Sequence, residues 1–249
     1  MASLQSDWRG DALLLIGHGA PRFMDAGRIL EANAETLRRG GHFHEVAIGW
    51  LSGTPSALDA LASLSARLVH VVPFFMEDGW FVREGIPAAL RVSDRALRLH
   101  PPVGIHPDMA VLAAARIERL CGPSPGLSIL LAGHGSARSP GRRMALHRHA
   151  EWLAGTGRYA RACAAFLEEP PFVADVLAEW RADPVAVLGF FSGEGGHVRD
   201  DLGRMMRTER AQRGVSGAAL IDLGLIADDP GMPEIILQQV AAGSMNGAL

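Results

Sequence analysis

The sequence predicts an α/β protein made of two tandem copies of one domain, each a four-stranded parallel sheet flanked by helices, with a cleft between the copies. The first observation is a repeat: Leu-Leu-Ile-Gly-His-Gly at 14–19 returns as Leu-Leu-Ala-Gly-His-Gly at 130–135. The second is that this offset of 116 positions holds without a gap as far as Val-Arg at 82–83, which matches Val-Arg at 198–199. The third is the alternation of short apolar runs with helical stretches, which is typical of parallel sheets covered on both faces.

The apolar runs of each half are too short for helices and are bounded by turn residues, so we predict that they form strands. In the first half these strands are 12–16, 46–51, 68–73 and a less apolar run at 103–105. Alanine, leucine and arginine at helical spacing predict helices at 26–39, 56–66, 87–97 and 108–120. The corresponding strands of the second half are 128–132, 162–167, 185–190 and 218–223.

Length and composition allow two domains, because 249 residues that are 48% hydrophobic can form two cores of about 120 residues each. The first repeat ends at Leu120-Cys121, and the Pro- and Gly-rich segment 122–126 is typical of a linker. We therefore predict one domain at 1–121 and a second at 127–249.

Several classes of protein are disfavoured by charge and composition. The net charge of −3 gives no electrostatic footprint for nucleic acid. The first ten residues lack the basic start and apolar core of a signal peptide, and no apolar run approaches the ~20 residues of a membrane span. We expect a cytoplasmic protein that binds neither membrane nor nucleic acid. Cys121 and Cys163 lack the CxxC spacing of a zinc or redox site.

Ligands of open parallel sheets bind beyond the carboxyl ends of the strands, and the notable side chains of this sequence follow predicted strands. His18 and His134 follow the first strand of each half, and Glu168 follows the second strand of the second half. A glycine-rich loop that carries Glu194 and His197 follows the third. We expect these loops to face one cleft.

Two imidazoles on neighbouring loops predict an open metal site. His134 and His197 would be ligands, Glu194 would supply an acidic ligand, and the remaining positions would stay open for a substrate. Glycines beside each histidine allow a bulky ligand to approach the backbone. The alternative is that each histidine only bonds a backbone carbonyl in a turn.

Three motifs resemble one known family. Gly-His-Gly-Ser at 133–136, Ala-Phe-Leu-Glu at 165–168 and Gly-His-Val-Arg-Asp-Asp-Leu at 196–202 are similar to the small class II tetrapyrrole chelatases, the sirohydrochlorin cobalto- and ferrochelatases of the CbiX type. The resemblance implies insertion of Co²⁺ or Fe²⁺, as metal substrate and without a permanently bound cofactor, into sirohydrochlorin for cobalamin or siroheme. It also implies that His134 and His197 bind the metal and take up protons, while Glu168 shapes the pocket or relays protons.

The implied substrate carries eight carboxylates, and the chain contains arginine but no lysine to meet them. Each arginine has the alternative of being a solvated surface charge. The candidates to bind carboxylates are Arg138, Arg142, Arg143 and Arg199, with Arg22 and Arg83 from the first half. The other candidates to contact substrate are Gly133, Gly135, Ser136, Gly196 and His18. Among acidic residues Glu194 ranks above Asp78, because it lies three positions before His197.

The first half departs from the motifs twice, because Phe81 stands at the position of His197 and Ser52 at that of Glu168. His18 therefore either contacts substrate or is structural. Trp80 and Phe81 either offer a macrocycle an apolar face or pack in the core, and we favour the core.

Two other functions remain. One is a metal- or tetrapyrrole-binding relative that has lost turnover. The other is a histidine phosphatase or mutase, which is disfavoured because Gly17 and Gly133, not arginine, precede the two histidines. We expect a monomer, because internal duplication replaces the homodimer that a single-copy chelatase would need. The sequence does not choose between cobalt, iron and nickel.

Overall fold

Two parallel four-stranded sheets make up the fold, in strand orders β2-β1-β3-β4 and β6-β5-β7-β8. The computed structural model describes residues 8–19, 27–91, 93, 95–135, 144–193, 201–214 and 217–243. The strands are β1 Trp8–Gly17, β2 Phe43–Trp50, β3 Leu68–Pro73, β4 Ala96–Leu99, β5 Ser128–Gly133, β6 Arg161–Phe166, β7 Val185–Gly189 and β8 Leu220–Leu225. The α-helices are α1 Arg28–Gly40, α2 Ala57–Ser63, α3 Ile86–Leu90, α4 Met109–Cys121, α5 Met144–Gly155, α6 Val173–Glu179, α7 Gly203–Arg213 and α8 Met232–Ala241. The predicted fold class, α/β with two four-stranded parallel sheets flanked by helices, is confirmed.

The central strand of each sheet is buried on both faces, which explains its continuous apolar run. In β1, Leu14 pairs with Ala47 of β2 and with Val71 of β3. Leu14 and Val71 are fully buried, and the core on this side also contains Leu61 of α2 and Leu90 of α3. The strand therefore has no polar face for a period-two pattern to reveal.

The helices begin and end where local chemistry requires it. The Ser56 hydroxyl accepts the backbone N–H of Asp59 at 3.1 Å, so Ser56 caps α2 and is not part of it. Helix α1 ends at Gly41, whose φ of 64° places it in the left-handed conformation that glycine adopts without strain. These termini agree with the predicted helices to within a few residues.

One part of the first half was predicted wrongly. The predicted helix 87–97 stops at Leu90, the strand β4 occupies Ala96–Leu99, and the predicted strand 103–105 is a short 3₁₀ helix. Residues 96–99 alternate between exposed and buried, as expected of a strand at the edge of a sheet. Two prolines precede 103–105 and cannot donate to a strand ladder, while a Cβ on Gly104 would lie 2.2 Å from the Cα of Met76.

The chain divides into two compact units, one within 1–106 and 230–249 and the other within 107–229. The first unit therefore contains α8, whose Gln239 side chain donates to the carbonyl of Pro101 at 2.8 Å. The second contains α4, whose Arg116 Nε donates to the carbonyl of Leu223 at 2.7 Å. Each repeat thus supplies its last helix to the unit built on the other repeat's sheet, whereas the predicted boundaries 1–121 and 127–249 follow the sequence repeat.

Within the described residues, every helix is too short or too polar to span a bilayer.

Candidate functional site

Backbone hydrogen bonds join the loops that follow β5 and β6. The N–H groups of Leu167 and Glu168 donate to the carbonyl of His134, at 3.1 and 3.0 Å. These bonds hold the two strand ends together, so the side chains of His134 and Glu168 lie at the same edge of the sheet. His134 Nδ1 is 3.7 Å from Glu168 Oε2. The structure therefore brings together two residues that the sequence predicted for one site.

The His134 ring also has a backbone partner, since its Nδ1 lies 2.9 Å from the carbonyl oxygen of Gly135. A carbonyl only accepts, so Nδ1 carries the proton, and in the neutral ring Nε2 is the nitrogen with the lone pair. The two interpretations of this histidine, as a metal ligand or base and as a residue that bonds a carbonyl in a turn, are therefore compatible. A bond to a turn carbonyl fixes the tautomer and orientation in which an imidazole can accept a proton or bind a metal.

Both members of this pair are accessible to solvent. The side chain of His134 is 39% exposed and that of Glu168 is 46% exposed. A purely structural histidine at a strand end has no need of such access, whereas a base or ligand requires it.

The glycines around His134 allow the loop to lie directly on the ring of Phe166. Gly135 has a φ of +76°, and a Cβ there would lie 2.9 Å from the Cβ of Phe166. A Cβ on Gly133 would lie 2.8 Å from Leu146 Cδ2 and 3.1 Å from Phe166 Cδ1. A side chain at Gly133 would therefore force Leu146 and Phe166 to shift, whereas at Gly135 both the packing and the backbone conformation favour glycine.

Phe166 is a residue that motif reasoning did not identify as part of this loop's support. In the first half Trp50 stands at the matched position, and a Cβ on Gly17 would lie 2.4 Å from its Cζ3. The signal was present in the sequence, because the repeat aligns an aromatic residue before each of Leu51 and Leu167.

Most of the other predicted site residues lie outside the described part of the chain, and their roles stay predictions. Among the residues that the structure describes, no group of three or more His, Cys, Asp or Glu side chains could hold a metal ion. The predicted residues outside the described ranges are Arg22, Ser136, Arg138, Arg142, Arg143, Glu194, Gly196, His197 and Arg199.

The first half keeps the same loop backbone with different side chains. The N–H of Ser52 donates to the carbonyl of His18 at 2.8 Å, and that of Leu51 donates to the carbonyl of Gly17 at 3.0 Å. The ring of His18 lies 4.4 Å, centroid to centroid, from that of Phe81. Partial burial lowers the pKa of His18, which favours a neutral ring.

Trp80 and Phe81 are not core residues, so the prediction that they pack in the core is wrong. Trp80 is 62% exposed and Phe81 is 40% exposed. Apolarity alone predicted burial, but these residues begin a π-helical turn, Phe81–Gly85, after the third strand instead of facing the sheet. Beside them Arg83 Nη2 donates to Asp78 Oδ2 at 2.7 Å, which explains the position of the one acidic candidate in this half.

A groove of about 690 Å³ lies elsewhere, between α1 and α2 over the edge strand β2. Its charged lining includes Glu31, Glu35, Arg38 and Asp59. None of the predicted site residues lines it.

Comparison with known proteins matches both halves separately. The CbiX family model matches residues 12–120 and again 128–242. A protein of Halobacterium salinarum named "Probable sirohydrochlorin cobaltochelatase" is 26% identical over 218 residues, which are 77% of this chain and 75% of that protein.

Solved structures share the fold. DR2241 from Deinococcus radiodurans, described as a multi-domain protein with structural similarity to chelatases, aligns with a TM-score of 0.82 at 23% identity over 96% of this chain. This chain spans 56% of the length of DR2241. A CbiX described as the terminal enzyme for siroheme biosynthesis in denitrifying bacteria aligns with a TM-score of 0.70 at 27% identity, over 93% of this chain and 98% of its own. With the family model covering nearly all of the sequence in two matches, this chain belongs to the CbiX family.

Proposed function

We propose that this protein inserts a divalent metal ion, Co²⁺ or Fe²⁺, into sirohydrochlorin, as a chelatase in cobalamin or siroheme biosynthesis. The observation that carries the proposal is the solvent-accessible pair of His134 and Glu168 at the carboxyl edge of the second sheet. The relatives named as a sirohydrochlorin cobaltochelatase and as a siroheme enzyme support the reaction, and the first of these names supports cobalt as a metal substrate.

The chemistry requires bases, because each metal ion that enters the macrocycle displaces two protons from pyrrole nitrogens. In the tautomer set by Gly135, His134 Nε2 accepts one proton and the ring becomes an imidazolium. Glu168 Oε2, 3.7 Å from Nδ1, stabilises this positive charge. The same neutral Nε2 can hold the incoming metal before the proton is transferred.

His197 is the proposed second base and second metal ligand, with Glu194 as an acidic ligand. Support comes from the first half, where the ring that matches His197, Phe81, contacts the ring that matches His134, His18. An insertion site that uses the same loop geometry would bring the two imidazoles of the second half together.

The carboxylates of sirohydrochlorin are proposed to pair with Arg138, Arg142, Arg143 and Arg199, while Gly133, Gly135, Ser136 and Gly196 contact the macrocycle. His18 is proposed as a further substrate contact. No permanently bound cofactor is required, because the metal is itself a substrate. We propose that the chain acts as a monomer in the cytoplasm, with its two repeats bounded at 121 and 127.

Anaerobic absorbance tests the reaction directly. Purified protein is mixed with sirohydrochlorin and Co²⁺, then Fe²⁺, beside a His134→Ala/His197→Ala double variant and a control without protein. A second double variant, His42→Ala/His44→Ala, removes two exposed histidines elsewhere.

We expect faster conversion of the pigment by wild type and the His42/His44 variant than by the His134/His197 variant or the control, and the faster metal identifies the preferred one. Conversion at the control rate, with pigment still bound, would instead establish the alternative of a tetrapyrrole-binding relative without turnover.

A further inference from the structure

The first repeat presents an exposed aromatic surface, made of His18, Trp80 and Phe81, where the second repeat carries its histidine motif. The repeat matches Trp80 with Gly196 and Phe81 with His197. At both positions the first repeat therefore has a large aromatic residue where the second has a small or polar one. Neither aromatic residue is needed to fill the core, because Trp80 is 62% exposed and Phe81 is 40% exposed.

The rings of this aromatic surface are held in place by contacts with one another, with Phe75 and with the backbone at Gly85. The Phe81 ring lies 4.4 Å from that of His18 and 6.3 Å from that of Phe75. Trp80 contacts Phe81 edge to face, with centroids 5.3 Å apart. A Cβ on Gly85 would lie 3.5 Å from Phe81 Cδ1 and 3.6 Å from Trp80 Cζ3, so both rings lie close to the backbone there. Fixed, exposed rings lose little side-chain entropy when a ligand stacks on them.

The location of the aromatic surface indicates which class of ligand it could bind. It lies at the carboxyl ends of β1 and β3, where open parallel sheets bind small molecules. It is also continuous with the loop of His18, whose backbone bonds match those of the His134 loop. Phe81 replaces the proposed second imidazole ligand and Ser52 the carboxylate proposed to stabilise the imidazolium, so this edge keeps surface for a flat ligand but lacks two of the groups proposed for metal insertion.

We propose that the aromatic surface binds the face of a tetrapyrrole by stacking and supplies neither a metal ligand nor a base for insertion. The ligand class rests on the proposed chelatase function. Arg83, 55% exposed beside Trp80 and paired with Asp78, provides a guanidinium within this segment for a peripheral carboxylate.

Binding of sirohydrochlorin without metal tests this surface separately from catalysis. The titration follows the fluorescence polarisation of the pigment in the His134→Ala/His197→Ala background. Added variants are Trp80→Ala, Trp80→Phe and the control Trp152→Ala, which removes another exposed tryptophan, on α5. The rates of cobalt and iron insertion are measured in parallel for the wild type and for the same tryptophan variants with His134 and His197 intact.

We expect Trp80→Ala to raise the Kd roughly three- to ten-fold, Trp80→Phe to restore most of the affinity, and Trp152→Ala to leave it unchanged. Equal Kd values for Trp80→Ala and Trp152→Ala would overturn the proposal, even in a protein that inserts cobalt. Failure of wild type to insert either metal would overturn the proposed function instead, and the effect of Trp80 on binding would still be read from the titration.

Discussion

The Nδ1 atom of His70 lies 2.9 Å from the Nε2 atom of His100, in the interior of the first unit. Both residues are 1% exposed. At one end of the pair Asp11 Oδ2 lies 3.2 Å from His70 Nε2, and at the other the carbonyl of Gly243 lies 3.2 Å from His100 Nδ1. Both ends are acceptors, so three hydrogen bonds would need three protons, whereas two neutral rings carry two.

The free energy of unfolding should therefore depend on pH, because protonation of this histidine pair differs between the folded and unfolded states. Burial is the largest cause that lowers the pKa of both rings. Burial, the charge of His70 and the charge of Arg98 together outweigh the hydrogen bonds to Gly243 and Gln239 and lower the pKa of His100 to about 4. At His70 the carboxylate of Asp11 opposes the shift.

Between about pH 4 and pH 6.5 the folded state binds fewer protons than the unfolded state, in which the pKa of His100 is 6.5. The contribution of His100 to the free energy of unfolding is therefore complete above pH 6.5 and is lost as the pH falls towards 4. We expect His100 to account for a loss of about 2 kcal/mol between pH 7 and 5.

Urea unfolding of wild type and His100→Gln at a series of pH values measures this loss, with His44→Gln as an exposed control. The pH dependence should be smaller in His100→Gln and unchanged in His44→Gln. A gain in stability on acidification that disappears in His100→Gln would contradict this prediction, and would mean that the pair captures the third proton.

Asp229 should be critical for the stability of the second unit. Its carboxylate is 1% exposed and accepts from Arg116 Nη1 at 3.1 Å and from Arg119 Nη2 at 2.6 Å. Asp229→Ala removes the partner of two guanidiniums and should cost about 3–5 kcal/mol in the free energy of unfolding. Glu118 lies on the same helix α4 and forms an exposed ion pair with Arg158. The control Glu118→Gln breaks this pair and should cost less than about 1 kcal/mol. Similar losses in the two variants, measured by urea unfolding, would show that burial does not distinguish these pairs.

Gly135→Ala should disturb the loop that carries His134. The change combines a φ of +76° with a Cβ 2.9 Å from that of Phe166. Gly157→Ala is the matched control, because its φ is +66° and nothing lies within 4 Å of the added Cβ. We expect about 1–2 kcal/mol of destabilisation at Gly157 from conformation alone, more at Gly135, and slower metal insertion only at Gly135. Thermal unfolding and the chelatase assay check this, and equal effects at both sites would exclude a contribution from crowding.

Glu168 should affect the rate of metal insertion and not the fold. Its side chain is 46% exposed, so Glu168→Gln and Glu168→Ser, the second of which installs the residue of the first half, should change stability by less than about 0.5 kcal/mol. Loss of the carboxylate beside the His134 imidazolium should slow cobalt insertion about 10- to 100-fold. Glu151→Gln, on an exposed position of α5, is the control. A wild-type rate in Glu168→Gln would remove this carboxylate from the mechanism.

The parts of the fold that the sequence predicted well are those where one physical signal is sufficient. Apolar runs such as 12–16, too short for helices and bounded by turn residues, predict buried strands, and the repeat places His134 and Glu168 at the ends of neighbouring predicted strands. Strand β4 was missed because four residues with a period of two are too few to outweigh the adjoining helical pattern. The exposure of Trp80 and the contact of His70 with His100 depend on tertiary structure, which neither composition nor spacing reveals.

The exchange of the last helices makes each unit depend on chain from both repeats. A chain cut within 122–126 would leave the first sheet without α8, and would leave α4 with its apolar side chains, among them Ala113 and Ile117, separated from the unit that buries them. Neither repeat forms a complete unit on its own. The first repeat lacks the second histidine and the glutamate, yet it cannot be deleted, because the unit that keeps them is built partly from its chain. Deletion of the first repeat would therefore also remove α4 from the unit that contains His134 and Glu168.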